Sequence, residues 1–170
     1  MTVKELLLVI LAAAVADNLV LSGYFGFSAS VLGGSKKSFA LTTGAVIIVS
    51  TLLCNVLGGL VPEYMHIMVF ALVTLVVCAL PALILKDKAP AYGMLVLNSA
   101  LMGAALNSVS MALPEALCYA LGTALGFWAL LVIFDSLKLK LASPSVPKAF
   151  KGMPITVLAA GIIAMAIYAF

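Results

Sequence analysis

The sequence predicts an all-α polytopic membrane protein: six transmembrane helices arranged as a three-plus-three inverted-topology repeat, with helices 1 and 4 broken. Three observations carry this expectation. Of the 170 residues, 65% are apolar and only 9% charged, whereas a soluble domain is charged at roughly a quarter of its positions. The apolar residues fall into runs of about 20, the length that crosses a bilayer core roughly 30 Å thick. The charges and several prolines collect between those runs. One transmembrane domain, residues 1–170, accounts for the whole length, with half-repeats of about 1–88 and 89–170.

The first span is expected over Val3–Leu32. It is read as a span and not a cleavable signal peptide, because no A-x-A-like site follows a short apolar core and more spans come after it. Lys36 and Lys37 end it, and Phe39–Val61 forms the second span. Pro62 and Glu63 separate that from His66–Leu85, in which Pro81 predicts a kink near the end. Lys86 to Lys88 precede the fourth span, Ala89–Leu113. Pro114 and Glu115 open the fifth, Pro114–Leu137, where a carboxylate suits the positive end of a helix. The stretch KLKLASPSVPKAFKG is the one long connection, its prolines arguing against helix through its middle, and Met153–Phe170 is the last span.

Orientation follows from the lysines, since basic connections stay in the cytoplasm. Lys36, Lys37, Lys86, Lys88, Lys138, Lys140, Lys148 and Lys151 fall on one side, and only Lys4 on the other. The expectation is a multi-pass protein of the inner (plasma) membrane with both termini outside the cytoplasm. Its lysines sit at the ends of apolar runs, so the net charge of +3 implies membrane lipid and not nucleic acid as its surroundings.

Three spans per half would insert two homologous halves upside down relative to each other. A short repeat supports that arrangement. Asn18-Leu19-Val20-Leu21-Ser22-Gly23 and Asn98-Ser99-Ala100-Leu101-Met102-Gly103 share the form N-x-x-L-x-G, deep in the first span of each half. Small and polar residues follow both: Ser28 and Ser30 in one, Asn107, Ser108 and Ser110 in the other. Matching Gly-interrupted segments in two inverted halves mark discontinuous helices that meet near the membrane midplane.

These stretches also carry a resemblance. Asp17-Asn18-Leu19-Val20-Leu21 is similar to a segment with Asn-Asn or Glu-Asn before apolar residues. Phe25-Gly26-Phe27-Ser28 through Gly33-Gly34-Ser35-Lys36-Lys37 is similar to Leu-Gly-Leu-Cys…Gly-Val-Ser-Lys-Lys. Leu97-Asn98-Ser99-Ala100-Leu101-Met102-Gly103 is similar to Thr-Asn-Cys-Ala-Val-Leu-Gly, and Val146-Pro147-Lys148-Ala149-Phe150-Lys151-Gly152 to Val-Pro-x-x-Phe-Arg-Gly. The family so resembled is that of the Rnf/Nqr membrane subunits of ion-pumping electron-transport complexes, of the RnfA/NqrE type. The resemblance implies a sister membrane subunit, or a second copy as a homodimer, and flavin-carrying partner subunits.

It also implies a departure. In the family, one cysteine from each broken helix helps to hold a two-iron two-sulfur cluster, together with those of the sister subunit. The matching positions here are Ser28 (Ala29 with the alignment gap moved by one) and Ser99. A hydroxyl is a hard, un-ionised donor and a poor replacement for thiolate. Cys54, Cys78 and Cys118 lie in spans 2, 3 and 5 without paired spacing, as buried apolar residues would. The chain is therefore expected to bind no cluster by itself, and no metal. No P-loop, nucleophile elbow or zinc-protease motif supports soluble-type catalysis, so no catalytic residues are expected. His66, alone beside Pro62-Glu63-Tyr64, is expected at headgroup level.

Asp17 stands apart. About fourteen residues into its span, it lies roughly 20 Å along a helix, near the bilayer centre. An ionised carboxylate there costs a few kcal/mol, so it should face the protein interior, protonated, hydrogen-bonded or beside a cation. With Asn18, Asn98 and Asn107 it forms the candidate ion path, carboxylate and amide oxygens being what a hard cation prefers. The alternative is a cofactor-free carrier of ions or small molecules, or the substrate-binding component of a transporter. The small pair Ala12…Ala16 in span 1 would suit a docking helix of that second kind.

Overall fold

The computed structural model describes residues 3–16, 18, 37–84, 98–141, 147 and 150–168, and among them every regular element is helical. Helix α1 (Val3–Leu11) runs directly into a π-helical turn, Ala12–Ala16. Helix α2 covers Lys37–Gly58, and a 3-10 turn at Glu63–Met65 leads into α3, His66–Ile84. Helices α4 (Ser99–Ser108), α5 (Leu113–Leu141) and α6 (Met153–Tyr168) complete the described set. Among the described residues, three stretches are long and apolar enough to cross a membrane: Leu41–Gly58, Glu63–Pro81 and Leu113–Leu137. A shorter apolar stretch, Pro154–Ala166, lies in α6.

The second, third, fifth and sixth expected spans each coincide with one of these helices. Pro81 lies inside α3 as expected, where it withholds a backbone N–H from the helix ladder. Glu115 falls in the first turn of α5. The fourth expected span, Ala89–Leu113, has described helix only over Ser99–Ser108, and the first has it only up to Ala16.

Each helix buries a narrow stripe. In α2 it consists of Thr43, Val46, Ile47, Ser50, Thr51 and Cys54, while Leu41, Val49, Leu53 and Val56 are exposed. In α3 it is Phe70, Thr74, Val77 and Cys78. The spacing of three and four residues is that of one helix face, but the chemistry is inverted relative to a soluble protein. Hydroxyls and small residues are inside and large aliphatic side chains outside. Lipid is as apolar as leucine, so such an outer face costs nothing there, and helices associate through close packing of small residues.

Helix α5 is the axis of the structure. It packs against α1, its π turn, α2, α4 and α6. Its Tyr119, Ala124, Phe127, Leu130, Leu131 and Phe134 enter one core cluster with Ile47, Cys78, Leu101 and Ala160. Cys54, Phe70 and Ala105 form a second, smaller cluster between α2, α3 and α4. The short α4 is set between α2, α3 and α5, with six of its ten residues buried.

Two tight connections, 59–62 and 109–112, lie together at one end. Asn55 donates through Nδ2 to the carbonyls of Ser108 and of Met111, the latter at 3.1 Å. His66 Nε2 lies 2.9 Å from the Val61 carbonyl and 3.2 Å from that of Gly58, so this nitrogen must carry the proton. The ring also stacks on Phe70 at 5.2 Å. His66 thus caps the end of α2, a specific role where the sequence suggests only a polar residue near the interface.

Candidate functional site

Buried amide groups mark two helix ends, the close of α1 and the start of α4. The π turn widens the last turn of α1, a local distortion often found at functional sites. Beyond it, Asn18 is buried, and its Nδ2 donates to the Ala14 carbonyl at 2.8 Å, taking up an acceptor that the helix end leaves open. The turn fits because α5 presents glycine to it. A β-carbon on Gly122 would lie 2.5 Å from the Ile10 carbonyl oxygen.

Helix α4 starts at Asn98, which is buried to 3% exposure. Its Oδ1 accepts from the Ala100 N–H at 3.1 Å, an N-cap that fixes which amide atom is oxygen. The other amide atom, Nδ2, has no hydrogen-bond partner among the described residues. Ser99, the first residue of α4, is exposed and engaged in a further interaction. Near the far end of α4, Asn107 is exposed and donates to the Tyr119 hydroxyl at 3.2 Å.

Of the residues singled out from sequence, the structure therefore places Asn18, Asn98, Ser99 and Asn107. Asn18 and Asn98 sit at helix ends in the interior, and Asn107 sits near the turn end of the α4–α5 pair. Asp17 and Ser28 lie outside the described residues. Sequence reasoning misses Asn55 and the pair Gly122-x-x-x-Gly126. The pair carries a readable signal, since glycines four apart in an apolar helix mark a face for close helix contact. It is a stronger signal than the Ala12…Ala16 pair of the first span.

Comparison with known proteins decides the family. The model of the Rnf-Nqr subunit family of membrane proteins matches residues 6–170. The chain belongs to the Rnf-Nqr membrane subunit family. It is 30% identical to the RnfA subunit of the ion-translocating oxidoreductase complex of Actinobacillus pleuropneumoniae serotype 5b (strain L20), over 98% of this chain and 96% of the relative. The corresponding subunits of Pasteurella multocida (strain Pm70) and Aliivibrio fischeri (strain ATCC 700601 / ES114) are each 28% identical over the same shares.

The thiols of this Rnf-Nqr subunit are not grouped. Ser99 presents a hydroxyl at the start of α4. The three cysteines are buried on three different helices: Cys54 in the smaller cluster with Phe70 and Ala105, Cys78 in the main core, and Cys118 on α5. Among the described residues, no group of three His, Cys, Asp or Glu side chains could share a metal ion.

Proposed function

We propose that this chain is an integral membrane subunit of an ion-translocating electron-transport complex, contributing membrane core or ion path without an iron–sulfur cluster of its own. The observation that carries the reading is the family match across nearly the whole chain, with relatives named as RnfA subunits of ion-translocating oxidoreductase complexes. The helix ends at Asn18 and Asn98 support it, because polar groups at that depth persist only where protein or a hydrated cavity surrounds them. In this reading helices 1 and 4 are the broken members of an inverted repeat. Both termini face away from the cytoplasm of the inner membrane.

The two-iron two-sulfur cluster that the family resemblance implies does not fit the residues present. Ser99 supplies a hydroxyl where a thiolate is required, and the three cysteines are dispersed in the packing. Electron transfer is therefore assigned to partners: a sister membrane subunit, or a second copy of this chain, with flavin-carrying subunits. Asp17 serves as the proton- or sodium-responsive group, with Asn18, Asn98 and Asn107 along the path.

The test is purification of the chain with its neighbouring subunits, followed by ion-dependent electron transport after reconstitution into vesicles. Co-purification with sister and flavin-carrying subunits, and loss of ion-dependent turnover on deleting this chain, are expected. An ATPase pair as the co-purifying partner would overturn the reading in favour of a transporter component. Stoichiometric iron and acid-labile sulfide in the anaerobically purified chain alone would overturn the cluster-free part.

A further inference from the structure

The side chains of Thr51, Asn98 and Thr123 each hold a buried polar atom without a hydrogen-bond partner among the described residues: the two Oγ1 atoms and Asn98 Nδ2. All three belong to α4 or to helices packed directly on it. Such an atom in a folded interior costs about 1–3 kcal/mol unless it is satisfied, and three around one short helix call for a common explanation.

Their depths align two of them. Helices α4 and α5 are antiparallel neighbours joined by the turn at 109–112. Asn98 lies ten residues from Ser108, and Thr123 ten residues from Leu113, so each is about 15 Å below that turn. Thr123 stands one helical turn deeper than Tyr119 on the same face of α5, and the Tyr119 hydroxyl accepts from the exposed Asn107 of α4. In order of depth the sequence of groups is Asn107, Tyr119, then Thr123 and Asn98. It leads from the lysine-poor end of the structure to the start of α4 and contains only hydroxyls and amides. Phe127, one turn deeper still and 2% exposed, closes it.

The chemistry selects the occupant. The Asn98 oxygen is committed to its cap, so the group facing inward is an N–H donor at the positive end of a helix. That combination repels a desolvated cation. It suits water, which accepts from Asn98 and exchanges hydrogen bonds with a threonine hydroxyl. We infer that the α4–α5 seam is a water-binding half-path, running from the lysine-poor face past Asn107, Tyr119 and Thr123 to a terminal water site at Asn98 Nδ2. The inference rests on the reading of this chain as part of an ion-translocating membrane core, in which it provides aqueous access from one side only.

Radiolytic hydroxyl-radical footprinting tests it on the intact protein in membranes, because water bound inside generates label on neighbouring buried side chains. Tyr119 and Leu101 should be labelled well above Phe134 and Ile47, although all four are 6% exposed or less. Thr123→Val, which replaces the hydroxyl by a methyl group of the same shape, should lower labelling of Leu101 several-fold, and Thr123→Ser should preserve it. Equal protection of Tyr119, Leu101, Phe134 and Ile47 in the wild-type protein would show a dry seam and end the proposal. Labelling confined to Tyr119, or Leu101 labelling unchanged by Thr123→Val, would overturn the path beyond Tyr119. If labelling behaves as expected while Thr123→Val leaves ion-dependent turnover intact, the seam stands and its part in translocation falls.

Discussion

Gly126 of α5 and Asn18 at the end of α1 touch only because the glycine has no side chain. A β-carbon there would lie 2.7 Å from Asn18 Nδ2 and 2.7 Å from the Ala14 carbonyl oxygen. One turn away, the same would happen between Gly122 and Ile10. The two glycines let the backbone of α5 approach α1 where the latter gives way to the π turn. The position of Asn18 thus depends on a helix about a hundred residues away in sequence.

The first prediction follows from that contact. Alanine in place of glycine inside a helix is favoured by about 1 kcal/mol through propensity, while overpacking costs about 1–3 kcal/mol. The atoms met by Gly122 and Gly126 are largely backbone and cannot rotate away, so Gly122→Ala and Gly126→Ala should both destabilise. Gly161 of α6 meets nothing within 4 Å, and Gly161→Ala should be neutral or stabilising. Thermal unfolding of the three variants in detergent checks the difference in sign.

Asn55 supports the second prediction. It supplies donors to two carbonyls at the end of α4. Asn55→Leu should lower stability by about 1–2 kcal/mol, in the upper part of the range for polar contacts in membranes. Asn55→Asp should cost more than Asn55→Leu, because it removes the same donors and turns acceptor oxygens on the two carbonyls. Denaturation midpoints of the two variants measure this. An Asn55→Asp variant as stable as the wild-type protein would argue against the donor role.

The third prediction concerns Asp17. Asp17→Asn keeps shape and removes ionisation, so the complex should assemble and unfold as before. Its proton- or sodium-dependent turnover in vesicles should disappear. A stably folded variant with unaltered ion dependence would reduce Asp17 to a structural hydrogen-bonder.

Ser28 and Ser99 give the fourth. If the family's cluster was lost through its ligands, the double substitution Ser28→Cys, Ser99→Cys should restore cluster affinity only in the presence of a sister subunit that brings the other two thiolates. Iron and sulfide analysis with visible spectra, with and without that partner, gives the answer. Cluster binding by the single chain, or none with the partner, would contradict it.

Much of the helix layout is legible in the residues alone. The expected spans Phe39–Val61, His66–Leu85, Pro114–Leu137 and Met153–Phe170 meet α2, α3, α5 and α6 within a few residues. Length and apolarity suffice there, because a helix in lipid must satisfy its own backbone wherever its neighbours are. Asn18 and Asn98 are likewise visible, as amides where a plain span would have leucine. Their roles are not. That Asn98 spends its oxygen on the cap and turns a donor inward depends on where α4 begins.

Class, spans and kinship all follow from the one-dimensional order of residues, since they rest on hydropathy, charge placement and short motifs. Which face of each helix lies inside does not; it emerges only when the helices meet. In a soluble protein the apolar stripe announces the buried side, but here Leu41, Leu53 and Leu72 face outward while Thr43, Ser50 and Thr74 face inward. Water no longer sorts the faces when lipid replaces it as solvent. The choice passes to close packing and hydrogen bonding between distant segments: Gly126 against Asn18, and Asn55 against Met111.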